Sequence, residues 1–422
     1  MDCEKLASIN NLLKENIMIA TGCTEPVAVA LCVAKASELL GQTPVKAELR
    51  LSKNVIKNAM GVGIPGTGMI GLPIAISLGV ISKDSEKGLE ILDNSENILE
   101  EATRWMEEYP IEICPKDTEE KLYIETRLEA GDGTSSRAII AGSHTNFVYY
   151  EKDSEVLFEK EIVAESQEEE EGIDIDFEDI YNFAVNSPID NLEWIIDTAK
   201  LNLKAAEEGL DKPYGLRLGR VMLNEGEVST RTKVIAKTCA ASDARMDGAT
   251  TPIYSNSGSG NQGIVCTVPV YVYGLESNSS EEEIIRALVV SHLLSIYIKQ
   301  FIGKLSALCG IINASIGAGA GILYLRGGNK KQMGYFIRNM INNITGMVCD
   351  GAKPSCSLKV SSALNAAFDS IDLAIKDIVV DNTDGISENS VDNSIRSLGK
   401  LGRYGMDEID ELILDIMTTK QS

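Results

Sequence analysis

Apolar residues recur at helical spacing through most of this chain. "LASINNLLKENI" and "PVAVALCVAKASELLG" predict two helices across 5–40, the second opening on Pro26 and stopping at Gly41. "ATGCTEP", 20–26, reads as a non-helical junction between them. "VKAELRLS", 45–52, alternates apolar and polar positions and predicts a strand. Helical spacing returns over 88–109. From 121 to 163 the period shortens to two in "KLYIETRLEA", "SRAIIAGS", "TNFVYYEK" and "EVLFEKEIV". Gly- and Asp/Ser-containing breaks separate these runs, as in an antiparallel meander.

After 175 the pattern is almost wholly helical. "DFEDIYNFAVN", "NLEWIIDTAKLNLKAAEEGL", "SEEEIIRALVVSHLLSIYIKQFI", "KKQMGYFIRNMINNIT", "SSALNAAFDSIDLAIKDIV" and "MDEIDELILDIM" all carry it. The stretch 242–274 is the exception. It begins polar and Gly/Ser-rich, and Pro269 breaks its apolar end. No repeat of fixed period occurs.

These patterns predict an α+β protein, with N-terminal helices and an α/β region of antiparallel strands followed by a mostly helical C-terminal domain. A length of 422 residues suits two domains. "AESQEEEEGID" is the expected boundary, since Glu168–Glu171 repel one another and have no apolar partner. That divides the chain into 1–165 and 172–422. A plain surface loop is the alternative.

Charge removes some functions. The net charge is −24 and no Lys/Arg cluster interrupts it, which excludes nucleic acid and anionic membrane as partners. The first residues lack a basic segment followed by an apolar one, so no secretory signal is expected. Two long stretches carry no charge, 61–82 and 305–325. The first holds six glycines with Pro65 and Pro73, so it cannot be one spanning helix. The second reads as a buried helix pair with a glycine break. The expectation is a soluble, cytoplasmic protein, with a homo-oligomer left open.

Nine cysteines at wide spacings argue against a disulfide framework, and most read as packing residues. Cys349 and Cys356 differ, because "CDGAKPSC" holds them on a polar turn shaped by Gly351 and Pro354, with Lys353 favouring thiolates. Cys309 opens the Gly/Ala-rich "CGIINASIGAGAG". Together the three offer thiolates with no obvious fourth ligand. His144 and His292 lie in other elements, and His292 reads as a satisfied core residue. Packing, structural zinc, or a [4Fe–4S] cluster with one open iron all remain open here.

Three further stretches stand out. "TGCTEP" places Cys23 at a helix entrance, where the helix dipole would lower its pKa and Glu25 would oppose that. It reads as a nucleophile, a base, a fourth ligand or an inert junction residue. "SNSGSGNQG", 255–263, offers backbone N–H groups with Ser257, Gly258, Ser259, Asn261 and Gln262, a donor set for a carboxylate or phosphate, or else a flexible turn. Asp243, Arg245 and Asp247 add polar groups nearby. "GVGIPG", 61–66, matches a dinucleotide fingerprint by letters, but Gly71 and Pro73 deny it the helix that the fingerprint requires.

"GCTEP", "NVIKNAMGVGIPGTG", "SNSGSGNQG", "CGIINASIGAGAG" and "GMVCDGAKPSC", in this order, resemble the L-cysteine desulfidase family, relatives of the iron–sulfur L-serine dehydratases. The resemblance runs from about residue 10 to about residue 400. It implies a [4Fe–4S] cluster held by Cys309, Cys349 and Cys356, and Cys23 as proton acceptor. It implies the conversion of L-cysteine and water to pyruvate, ammonia and sulfide without pyridoxal phosphate. L-serine is the alternative substrate, and a non-catalytic cluster-bearing or amino-acid-binding sensor is the alternative class.

Overall fold

The computed structural model describes residues 3–161, 175–224, 226, 228–303 and 306–419. The acidic stretch expected to divide the chain lies almost entirely outside them. The N-terminal part contains α1 (Cys3–Asn16), β1 (Ile19–Ala20), α2 (Thr24–Leu40), β2 (Pro44–Leu51), α3 (Lys53–Ala59), α4 (Leu72–Ser82) and α5 (Leu99–Glu108). The strands β3 (Ile111–Pro115), β4 (Tyr123–Ala130), β5 (Ser135–Ala141), β6 (Phe147–Lys152) and β7 (Glu155–Glu159) follow. The fold is α+β, as the periodicities predict.

The six-stranded sheet runs in the order β3-β2-β4-β5-β6-β7. Every neighbouring pair is antiparallel except β2 and β3, which run parallel. The apolar α2 and α4 cover one face, and Val29, Leu31, Leu49, Ile76, Ile124 and Ile140 share their core. The helix expected over 88–109 shrinks to α5. Gly88 and Asn94 take left-handed φ values of 54° and 58° and leave only short 3₁₀ turns before it.

The second part is helical: α6 (Phe177–Asn186), α7 (Ile195–Asp211), α8 (Leu218–Leu223) and α9 (Thr230–Met246) precede the short strand β8 (Ile253–Tyr254). Then come α10 (Gly260–Glu276), α11 (Glu281–Ile302), α12 (Ile311–Leu325), α13 (Lys330–Ile344), α14 (Cys356–Ile375), α15 (Val391–Tyr404) and α16 (Asp407–Thr419). Two expectations change here. Much of 242–274 is helix, and α10 carries Pro269 in its interior. The stretch 305–325 contains one helix, α12, rather than a pair. Its glycines are contact points: a Cβ on Gly317 would lie 2.2 Å from the Ser291 carbonyl oxygen of α11. By length and composition α11 could cross a membrane, but most of it is buried inside this helical core.

The chain ends cross between the two parts. Ile9, Leu12 and Leu13 of α1 belong to the helical core with Leu288 and Ile312. Leu414 of α16 belongs to the core under the sheet, and Asp410 pairs with Lys57 of α3. β1 pairs with β8, and Ser255 and Ser257 donate their N–H groups to Met18 and Asn16. That clamp fixes the loop after β1 against the loop before α10.

Candidate active site

Segments far apart in sequence meet where the two parts touch. Leu308 and Val348 form an antiparallel bridge. Cys309 N–H donates to the Met347 carbonyl at 3.0 Å, and Cys349 N–H to the Ala307 carbonyl at 2.6 Å. Cys309 and Cys349 therefore flank one short bridge. Cys356, expected to share a turn with Cys349, is instead the first residue of α14. Its N–H donates to the Lys353 carbonyl and its sulfur lies 3.8 Å from the Gly351 carbonyl oxygen. Gly351 has φ 90°, and a Cβ there would sit 2.1 Å from the Lys57 carbonyl oxygen, so the cysteine loop rests directly on α3.

Cys23 is the N-cap residue of α2 and is buried. It shares a small apolar cluster with Val62 and Met246, against which Ala352 and Cys356 pack. All four predicted cysteines thus stand in one neighbourhood, although they come from residues 23, 309, 349 and 356.

The electrostatics are local and opposite to the chain's overall charge. Cys309 lowers the Cys349 thiol below the ordinary range in spite of burial, and Lys57 and Lys359 assist. Cys349 and burial push Cys309 up. Burial also raises Cys356, although Lys353 and Lys359 oppose it. Burial lowers Lys299, on α11, to about 8, while the neighbouring sulfurs of Cys349 and Cys309 act to raise it. Asp350, despite its own burial, is held down to about 2 by Lys353 and Lys359. For Cys23, burial raises the thiol to about 11 against the pull of Arg245. The sequence-based expectation of a lowered value is therefore reversed.

The loop 255–263 comes to the same place. Asn256 and Ser259 exchange backbone hydrogen bonds around Ser257 and Gly258, whose φ values are 49° and 76°. Ser257 donates its side chain to Asn256, and Ser259 caps α10 by accepting from Gln262 N–H. Much of this loop's donor capacity therefore holds the loop itself. Asn261 and Gln262 lie on the first turn of α10. Gln262 accepts from Asn313 at 2.7 Å. Its amide nitrogen lies over Gly310, where a Cβ would come within 2.5 Å of it. It thus borders Cys309.

Arg245, Lys57, Lys299, Lys359 and Asn313 join this neighbourhood without having been singled out as site residues. Only Arg245 had a signal, in the polar "SDARMDGAT". His292 is half satisfied: Nδ1 accepts from Asn256 at 3.0 Å, and Nε2 has no partner. The 61–66 turn is held by a bridge between Gly63 and Ile70 beside Met246 and opens no helix, as its context predicted.

Among the described residues, no three His, Cys, Asp or Glu side chains converge as a single metal ion requires. A mononuclear zinc site needs its ligands about 2.3 Å from one point. A cluster binds its thiolates through separate irons, so its ligands stand further apart. Cys309 and Cys349 beside the Leu308–Val348 bridge, with Cys356 nearby and lysines around them, offer a donor set of the second kind.

A group of thiols with lysines around it thus lies where the two parts of this α+β protein meet. The sequence profile of the serine dehydratase alpha chain family matches residues 87–415, and the chain belongs to that family. It is 49% identical over 416 residues to a UPF0597 protein of Bacteroides fragilis, covering 97% of each chain. It is 48% identical over 418 residues to a UPF0597 protein of Phocaeicola vulgatus, again 97% of each. A UPF0597 protein of Clostridium perfringens is 42% identical over 417 residues, with the same coverage.

Proposed function

We propose that this protein is an iron–sulfur-dependent lyase that eliminates sulfide from L-cysteine, yielding pyruvate and ammonia. Cys309, Cys349 and Cys356 would hold a [4Fe–4S] cluster. When bound, such a cluster supplies a Lewis-acidic iron for the departing sulfur. Cys23 takes the α-proton. The observation that carries this reading is the packing of Cys356 against the cluster that contains Cys23, beside the Cys309–Cys349 pair. Lys57 and Lys359 favour the thiolate form of Cys349. Asn261 and Gln262 supply side-chain donors to the substrate, while Ser257, Gly258 and Ser259 shape the loop that presents them. The aminoacrylate left after elimination tautomerises and hydrolyses in water, consuming one water and releasing ammonia.

Cys23 must lose its proton before it can act, and a thiol raised to about 11 is a strong base once ionised. Arg245 is the group that favours that ionisation.

L-serine elimination to pyruvate and ammonia is the second reading, favoured by the family's description as serine dehydratase alpha chain. A cytoplasmic setting accords with the absence of disulfides among the described cysteines. The deciding experiment measures iron and sulfide content of anaerobically prepared protein together with turnover of both amino acids. Iron-loaded protein that releases sulfide from cysteine faster than pyruvate from serine supports the first reading. Serine turnover tenfold above cysteine turnover selects the second. A loaded protein inert to every amino acid selects the sensor class.

A further inference from the structure

Arg245 sits in the last turn of α9 with only 9% of its surface exposed. Its Nη2 donates to the Gly22 carbonyl at 3.1 Å, and its Nη1 reaches Asn261 Oδ1 at 3.5 Å, the outer limit for such a bond. Among the described residues its buried Nε has no partner. Among the described residues no carboxylate pairs with it. Glu25 is engaged by Asn58 and Thr24. Asp243 accepts from the N–H groups of Leu216 and Leu218, and Asp247 from that of Gly215. A buried guanidinium without a counter-charge is costly to maintain.

The N-terminus of α10 lies against that same Nε. A Cβ on Gly260 would fall 2.1 Å from Nε and 2.5 Å from Cζ, so the guanidinium edge occupies the space that any side chain at 260 would fill. A helix cannot satisfy its first N–H groups internally, and here those belong to Gly260 and Asn261. A buried cation with an unused N–H and a 17-residue helix's positive end therefore converge.

We infer that Arg245, with the N-terminal N–H groups of α10, is the receptor for the α-carboxylate of the amino-acid substrate. The inference rests on the lyase reading and deepens it. Arg245 also stands beside Cys23, since the Gly22 carbonyl accepts from its Nη2. The α-carbon is one bond from the carboxylate, so a carboxylate held by Arg245 brings the α-proton to the Cys23 sulfur. The site therefore selects short α-amino acids with a free carboxylate.

The test is binding of L-alanine, which has the carboxylate but no leaving group, and of cysteamine, which has the thiol and amine but no carboxylate. Both are measured by calorimetry on iron-loaded protein. Arg245→Gln should weaken L-alanine binding by about 10- to 100-fold, the range for a hydrogen bond to a charged group, and leave cysteamine binding unchanged. Arg245→Lys keeps a cation and should recover part of the loss. It carries the test alone if Arg245→Gln does not fold, and wild-type L-alanine affinity in it overturns the assignment. So does equal L-alanine binding by wild type and Arg245→Gln, an equal loss of cysteamine, or no L-alanine binding by wild type. Arg245-dependent L-alanine binding without any turnover would sink the lyase reading and leave the receptor standing. Cysteine turnover with an unchanged KM in Arg245→Gln would do the reverse.

Discussion

Cys309 and Cys349 flank a bridge one residue pair long, and Cys309 lowers the pKa of the Cys349 thiol. Forty residues of sequence separate them, and the antiparallel bridge between Leu308 and Val348 brings them together. The two thiols are unequal, Cys309 raised and Cys349 lowered, so Cys349 is the more acidic. In iron-free protein, Cys349 should therefore react with an alkylating agent at mildly acidic pH, where ordinary thiols are protonated. Cys309→Ala removes the neighbour that lowers it and should slow that labelling markedly, as read by mass spectrometry of the modified peptide. Equal labelling of Cys349 with and without Cys309 would refute the pairing. Under the proposed function, Cys309→Ala, Cys349→Ala and Cys356→Ala should also each lose bound iron and visible absorbance.

Cys23 is expected to behave differently from those three. Cys23→Ala should keep iron and absorbance while turnover falls by at least about 100-fold, the usual scale for loss of a general base. Iron content and pyruvate release measured on the same sample separate the roles. Loss of iron in Cys23→Ala would make Cys23 a ligand instead of a base.

The split between sheet and helices was legible because the meander strands and the amphipathic helices each have one wet face. Such faces imprint a period on the sequence. Helices α10 and α12 have almost none, since nearly every residue in them is buried. Without a polar stripe, their glycines and Pro269 read as breakers, when Pro269 lies inside a helix and glycines such as Gly317 and Gly321 are contact points. β3 was missed because five residues are too few to establish a period, and its parallel pairing to β2 is what holds it. The cysteines of the site stood out because thiols in polar surroundings are poor packing residues. Lys57, Lys299 and Lys359 did not, because a lysine at helical spacing looks like any solvated side chain until tertiary packing buries it.

Lys57 is 4% exposed and forms a 2.5 Å ion pair with Asp410 of α16. It is also one of the cations that lower Cys349. Asp410→Asn leaves a buried ammonium without its counter-ion, which should cost about 2–4 kcal/mol of unfolding free energy, at or below the range for breaking a buried pair because Asp410 is partly exposed. The neighbouring Lys53–Glu411 pair is largely exposed, and Glu411→Gln should leave the denaturation midpoint where it was. Urea titrations of the two variants side by side check the contrast. Equal effects would mean that burial of Lys57 is not what gives the α16 contact its strength.

His292 supplies the acid sensitivity of the helical core. It is fully buried, Asn256 donates to its Nδ1, and burial lowers its pKa to about 3 from the ordinary 6.5. The unfolded chain therefore binds a proton between about pH 6.5 and about pH 3 that the folded protein refuses. Stability must fall as pH drops through that window. At about 1.4 kcal/mol for each pH unit crossed, the loss is on the order of 4 kcal/mol by its lower end. His292→Gln can still accept from Asn256 through its amide oxygen and carries no titrating group. It should start less stable at neutral pH, because the core is fitted to the ring, yet lose less stability on acidification. Unfolding free energies of both proteins from pH 7 down to about pH 4 give two slopes, and that of His292→Gln should be shallower by close to one proton. Parallel slopes would show that the acid response comes from other groups and that His292 takes up its proton in the folded state.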